Sequence, residues 1–165
     1  MTISATKSDA AVNAPPEATI KAASTRFGEI EVAGDKVVTM TSPVPGFPDS
    51  RRFVLWLQKP DSPLMWLHSL DEPDLAFVVM QPAALISGYQ PAIPAPVRDE
   101  LQCRPGDEVE VLVILTIPHG RPLEMTANLL GPIVVNVTAR LGRQLVLDPA
   151  KYDSRCPVFQ SGEKP

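Results

Sequence analysis

The sequence predicts an all-β fold: a small antiparallel β-barrel-like single domain with minor short helices and many proline turns. Short apolar runs recur at regular spacing and are separated by turn residues. The chain carries 19 prolines, which interrupt helices and central strands and so exclude a helical bundle. Its 165 residues suit one substantial core, and no internal repeat or second domain is visible.

Residues 1–23 are rich in Ala, Thr, Ser and Pro without a bulky apolar period, so they read as a disordered tail that can be deleted without loss of stability. The domain is expected over residues 24–160. Ile30 and Val32 alternate with Glu29 and Glu31, the period of a half-solvated strand. Gly34-Asp35 then supplies a turn before Val37 to Met40, so these two runs read as a hairpin. Pro45-Gly46-Phe47-Pro48 is a rigid turn leading to a strand from Phe53 to Gln58. After Lys59-Pro60-Asp61-Ser62-Pro63 comes a strand from Leu64 to Leu70. Asp71-Glu72-Pro73-Asp74 turns the chain into Leu75 to Met80, apolar enough for a central strand.

The middle is less regular. Pro82 to Ile86 suits one helical turn, Tyr89 to Pro96 an extended loop, and Val97 to Cys103 a short helix. Val109, Val111, Val113, Leu115 and Ile117 share one face of the longest strand. Glu108 and Glu110 lie opposite at its start, where Leu112 and Ile114 later bury the second face. Ile133 to Val137 and Arg143 to Leu147 complete the sheet around a turn at Arg140-Leu141-Gly142. The expected core is Ile30, Val32, Phe53, Leu55, Leu67, Phe77, Val79, Val111, Val113, Leu115, Val135 and Leu145.

The chemistry is sparse. A net charge of −4 argues against direct nucleic-acid binding, which normally shows a basic face, and fits a basic protein partner. Cys103 and Cys156 have no C-x-x-C companion and read as free thiols of a reducing compartment. No run is long and apolar enough for a membrane span and no secretory h-region precedes the domain, so the expected location is the cytoplasm. His68 and His119 lack further ligands at zinc spacing. His68 and Ser69 are adjacent strand residues pointing to opposite faces, and no G-x-S-x-G elbow or glycine-rich phosphate loop occurs. No catalytic residue, cofactor or metal is expected: the protein acts by binding.

Two groups stand out as candidate partner contacts. Asp71, Glu72 and Asp74, taken with Glu108 and Glu110, offer negative charge to a basic partner; the alternative is a solvated turn. In Met125-Thr126-Ala127-Asn128-Leu129-Leu130, Met125 suits an adaptable apolar contact and Asn128 a hydrogen bond that fixes register. Asn128 equally suits a tie at a barrel corner.

Several separated blocks are similar to the bacterial flagellar assembly factor FliW family. They are Pro45-Gly46-Phe47 with Arg52-Phe53-Val54-Leu55, then Pro63 to Val79 with its Leu-Asp-Glu-Pro-Asp-Leu-Ala-Phe core. Thr116-Ile117-Pro118, Met125 to Asn136, and Gly142 to Leu147 with Tyr152 follow in family order. The resemblance implies a non-enzymatic barrel-like protein, monomeric when free, with two partners. These are the C-terminal region of cytoplasmic flagellin and the translational repressor CsrA, whose repression is relieved by partner switching. A dedicated flagellin chaperone without the CsrA arm is the other reading. Departures from the family pattern are Pro43-Val44, Gly131 in place of alanine, which reads as loosening a turn, and Cys156 in place of a histidine.

Overall fold

The computed structural model describes residues 19–57 and 59–159. Residues 1–18 of the expected tail, the end of the expected Phe53–Gln58 strand, and residue 160 of the expected domain lie outside them. The strands are β1 (Thr19–Ser24), β2 (Gly28–Ala33), β3 (Val37–Met40), β4 (Arg52–Trp56), β5 (Met65–Ser69), β6 (Ala76–Met80), β7 (Val109–Thr116), β8 (Thr126–Ala127), β9 (Ile133–Asn136), β10 (Leu141–Gln144) and β11 (Cys156–Pro157). One helix, α1 (Ala95–Glu100), and three single 3-10 turns complete the described chain.

Seven strands close a barrel in the order β7-β6-β5-β4-β3-β10-β9, with β9 returning to β7. The length of β7 makes closure possible. Its first half pairs with β9, from Val109 opposite Asn136 to Leu112 opposite Ile133, and its last two residues pair with β8. Every barrel pairing is antiparallel except β3 with β10, which run parallel. The antiparallel barrel expected from the sequence is present, with this one parallel pairing.

Gly142 explains why β10 can lie beside β3. A Cβ on it would stand 3.0 Å from Val38 Cγ1 and 3.2 Å from Met40 Sδ, so its missing side chain leaves room for two interior residues. The expected turn at Gly142 is therefore a strand position. The turn itself lies just before it. Asn136 accepts from the amides of Ala139 (through Oδ1, 3.2 Å) and Arg140 (through its carbonyl, 2.7 Å), and Arg140 takes a positive φ of 61°. Sequence reading favoured the glycine because glycine usually supplies that conformation.

Alternation sorts the barrel residues into two faces. Val38, Met40, Phe53, Leu67, Val79, Leu112, Ile133 and Val135 fill the interior, joined by Val44 from the loop after β3. The outer face is covered in three sectors by other parts of the chain. β1 and β2 lay Ala22, Ile30 and Val32 over Val37 and Val54. Helix α1 lays Val97 and Leu101 over Val134 and Leu145. Met125, Ala127 and Leu129 cover Met80, Val113 and Leu115. Of the expected core residues, Leu55, Phe77 and Val111 are only half-buried, and the others are buried.

The expected hairpin of the first two runs does not form. A 3-10 turn at Gly34–Lys36 carries the chain from an outer ribbon into the barrel, and β2 pairs instead with β1, from Thr19 opposite Ala33 to Ser24 opposite Gly28. Residues 19–23 therefore belong to the domain, not to a tail. Their signal was faint because Ile20 is the one bulky apolar residue on the inward face of β1, and the positions after it are small, Ala22 and Ser24. Removing residues 1–24 strips the partner from β2 and part of the cover from Val37 and Val54. It is expected to lower stability by about 2–4 kcal/mol in denaturant melts, in place of the neutral outcome expected from composition.

Candidate functional site

The barrel has two mouths. At the first lie the end of β3, the starts of β4, β6 and β9, and the ends of β5 and β7. At the second lie the starts of β3 and β7 and the end of β9. The first mouth is the richer one. Between β3 and β4, Phe47 turns back so that its amide donates to the Val44 carbonyl at 2.9 Å, with Gly46 at a φ of 92°. This turn drops Val44 into the core and stands Phe47 edge-on against Phe77, ring centroids 5.3 Å apart at 85°.

Opposite Phe47, the chain from Asn128 to Gly131 forms the other wall. Asn128 Oδ1 accepts from the amides of Leu130 at 3.1 Å and Gly131 at 2.9 Å, while its own amide donates to the Ile114 carbonyl at 2.9 Å. Gln144 Nε2 donates to the Gly131 carbonyl at 2.9 Å. Behind this wall the Tyr89 hydroxyl donates to the Leu129 carbonyl at 2.6 Å, and burial, with Tyr152 beside it, pushes the Tyr89 phenol up to about 12. A groove of about 370 Å³ results, floored by Phe77 and Ile114 and walled by Phe47, Leu130 and Val146, with Asn128 and Gln144 supplying amides. Val146 is 82% exposed, an unusual position for an aliphatic side chain beside an apolar groove.

Gly131 is tight, not loose. A Cβ there would stand 2.9 Å from Gln144 Nε2 and 3.1 Å from Asn128 Nδ2, so the alanine of the family pattern would displace the groove's amides. Asn128→Ala removes the acceptor for two turn amides and is expected to cost about 1–2 kcal/mol, read as a lower Tm.

The acidic candidates do not converge. Asp71 accepts from the amides of Arg51 (2.8 Å) and Arg52 (3.0 Å) and from both ends of the Arg52 guanidinium (3.1 and 2.8 Å). Burial alone would raise its carboxyl; the hydrogen bonds from Arg52 and Arg51 outweigh that and hold it below the ordinary value. Glu72 accepts from the Ser50 hydroxyl. Ser69 Oγ receives the amides of Asp71 (3.0 Å) and Glu72 (2.8 Å) and bonds Ser50 Oγ at 2.9 Å, so it organises the turn. Asp74 is exposed in the same turn. Glu108 and Glu110 sit at the second mouth, where Glu108 is exposed and Glu110 is half-buried near Asp35, Lys36 and Arg140. From Glu110 to the end of β7 at Thr116 is about 20 Å of strand, so the five carboxylates form no single patch.

Met125 is 7% exposed and packs in the cluster over β7, so the expected adaptable surface contact is corrected. His68 is buried, and its Nδ1 lies 2.8 Å from the Ser69 carbonyl. No group of three metal-ligating side chains occurs among the described residues. Sequence reading missed Phe47, Gln144 and Val146 as groove residues. A signal for Val146 existed: it lies between Leu145 and Leu147, which both pack under α1, so alternation turns it to the opposite side.

A closed barrel with an apolar groove at one mouth, furnished with the side-chain amides of Asn128 and Gln144, has the form of a binding protein. Comparison with known proteins gives its family. The model of the FliW protein family matches residues 21–158. The flagellar assembly factor FliW of Magnetococcus marinus is 38% identical over 135 residues, 82% of each chain. That of Geobacter sulfurreducens is 36% identical over 140 residues, 85% of this chain and 87% of its own. A crystal structure of the flagellar assembly factor FliW superposes with a TM-score of 0.77 at 33% identity, covering 87% of this chain and all of that one. The chain belongs to the FliW family of flagellar assembly factors, a kind of protein not known to be catalytic.

Proposed function

We propose that this protein is a non-enzymatic partner switch of the cytoplasm, monomeric when free, that binds the C-terminal region of flagellin and antagonises CsrA. The observation that carries the flagellin arm is the mouth groove with Val146 standing exposed beside it. An amphipathic helix left uncovered before secretion needs an apolar groove for its stripe and polar groups beside it to fix register. Phe47, Phe77 and Val146 supply the first, Asn128 and Gln144 the second.

Antagonism of CsrA is supported by family membership and by the acidic balance of −4, since a negative protein on CsrA repels RNA phosphates. Asp74 and Glu108 are the candidate carboxylates left exposed, and they become the first choices for charge facing CsrA. The commitment of Asp71 and Glu72 to the barrel favours the second reading, a dedicated flagellin chaperone without a CsrA arm.

A three-component titration separates the readings. CsrA bound to a labelled flagellin leader RNA is mixed with this protein, then with purified flagellin. The partner switch releases RNA at the first addition and restores the complex at the second. The chaperone binds flagellin and leaves the RNA complex untouched.

A further inference from the structure

We infer that the outer face of β5, β6 and β7 is a second docking surface, one that takes an acidic amphipathic helix. Three sectors of the barrel's outer face are roofed by the ribbon, by α1 and by the segment around Met125. Between the ribbon and that segment, Trp66, Val78 and Ile117 line two adjoining hollows of about 180 and 510 Å³. Ile117 is 38% exposed, and Leu123 beyond Pro122 is 46% exposed.

The charge around this shelf selects the occupant. In a chain with more carboxylates than cations, the charged residues lining the two hollows are Lys59 in one and Arg26 in the other, with no carboxylate among the described lining residues. Arg26 lies 5.2 Å from the Trp66 ring centroid and is held there by the turn between β1 and β2, where Ser24 Oγ accepts the Arg26 amide at 3.1 Å. Arg121 at the rim is paired with Glu124 at 3.2 Å and adds no net charge.

The dimensions fit one helix. Three strands at about 4.8 Å spacing span about 10 Å, the diameter of a helix with its side chains. Five residues of strand run about 17 Å, the length of about three helical turns. An apolar stripe would cover Trp66, Val78 and Ile117 while carboxylates on its flanks reach Arg26 and Lys59. The surface shares only Phe77 with the mouth groove and stands whether or not flagellin uses that groove.

Two fluorescein-labelled 14-residue helical peptides with the same leucine stripe, one flanked by Glu and one by Lys, test this by anisotropy with the full chain. The Glu peptide should bind at least tenfold more tightly than the Lys peptide and weaken as salt rises from 50 to 300 mM. Ile117→Asp should weaken it at least tenfold. The double variant Arg26→Glu, Lys59→Glu should reverse the preference between peptides, with folding checked by circular dichroism. Equal binding of both peptides, binding of neither, salt-independent binding of the unmodified protein, or full affinity in a folded Ile117→Asp protein would each overturn the inference. Loss of the Glu peptide in Val146→Asp would do so too, by placing that peptide at the barrel mouth.

Discussion

Phe53→Ala is expected to lower the unfolding free energy by about 3–5 kcal/mol, the range for deleting a fully buried aromatic side chain. Phe53 has no exposed surface, and its ring lies 6.0 Å from that of Phe77 in the middle of the barrel interior. β4 is held on both sides, by β3 and β5, so the cavity cannot collapse by moving an edge strand. Phe77 also belongs to the core expected from sequence. It is half-buried, because its ring floors the open groove, so Phe77→Ala should cost less, about 2–3 kcal/mol. Urea melts of the two variants check both the magnitude and the order; equal losses would contradict the placement of Phe77 at the mouth.

Asp71→Lys is expected to destabilise the protein by about 2–3 kcal/mol, because it removes a charged acceptor from two backbone amides and sets a cation against Arg52. The Asp71 side chain is 20% exposed, so solvent screens only part of the interaction. Charge reversal there reports on folding before it reports on any partner, and the corresponding reversal at Asp74 is the cleaner probe of docking. The pH dependence follows from the lowered carboxyl. Its folded value lies below the unfolded 3.8, so its contribution is fully present above that pH and is lost as pH falls through the folded value. The stability gap between wild type and Asp71→Asn should therefore be wide at pH 7 and narrow as the pH falls below 3.8. A gap of constant size would show that Asp71 acts without its charge.

The fold was legible where bulky apolar residues are dense and illegible where small ones stand in their place. The runs at β4 to β7 are rich in Phe, Leu, Val and Trp, and each appears as a strand near its expected bounds. β1 hides because a single Ile20 beside Ala22 and Ser24 makes too weak an apolar period, and its absence from the sequence reading misdirected β2 into a hairpin with β3. β10 was displaced by a few residues because Gly142 looks like a turn residue, whereas its role is to make space for Val38 and Met40.

The candidate site was legible in part. The block from Met125 to Leu130 does border the groove, through Asn128 and Leu130, but Met125 faces the core. The acidic motif looked like surface charge because composition cannot reveal that Arg52, Arg51 and Ser50 reach back to it from across a hairpin. The groove itself is assembled from five separate segments, which no local pattern brings together.

Calorimetric titration of purified flagellin into the wild-type protein and into Val146→Asp tests the central reading most directly. Val146 is exposed, so the substitution should leave the Tm unchanged while a carboxylate enters the apolar groove. Flagellin affinity is predicted to fall at least tenfold; unchanged affinity in the folded variant would contradict the assignment of the barrel mouth to flagellin.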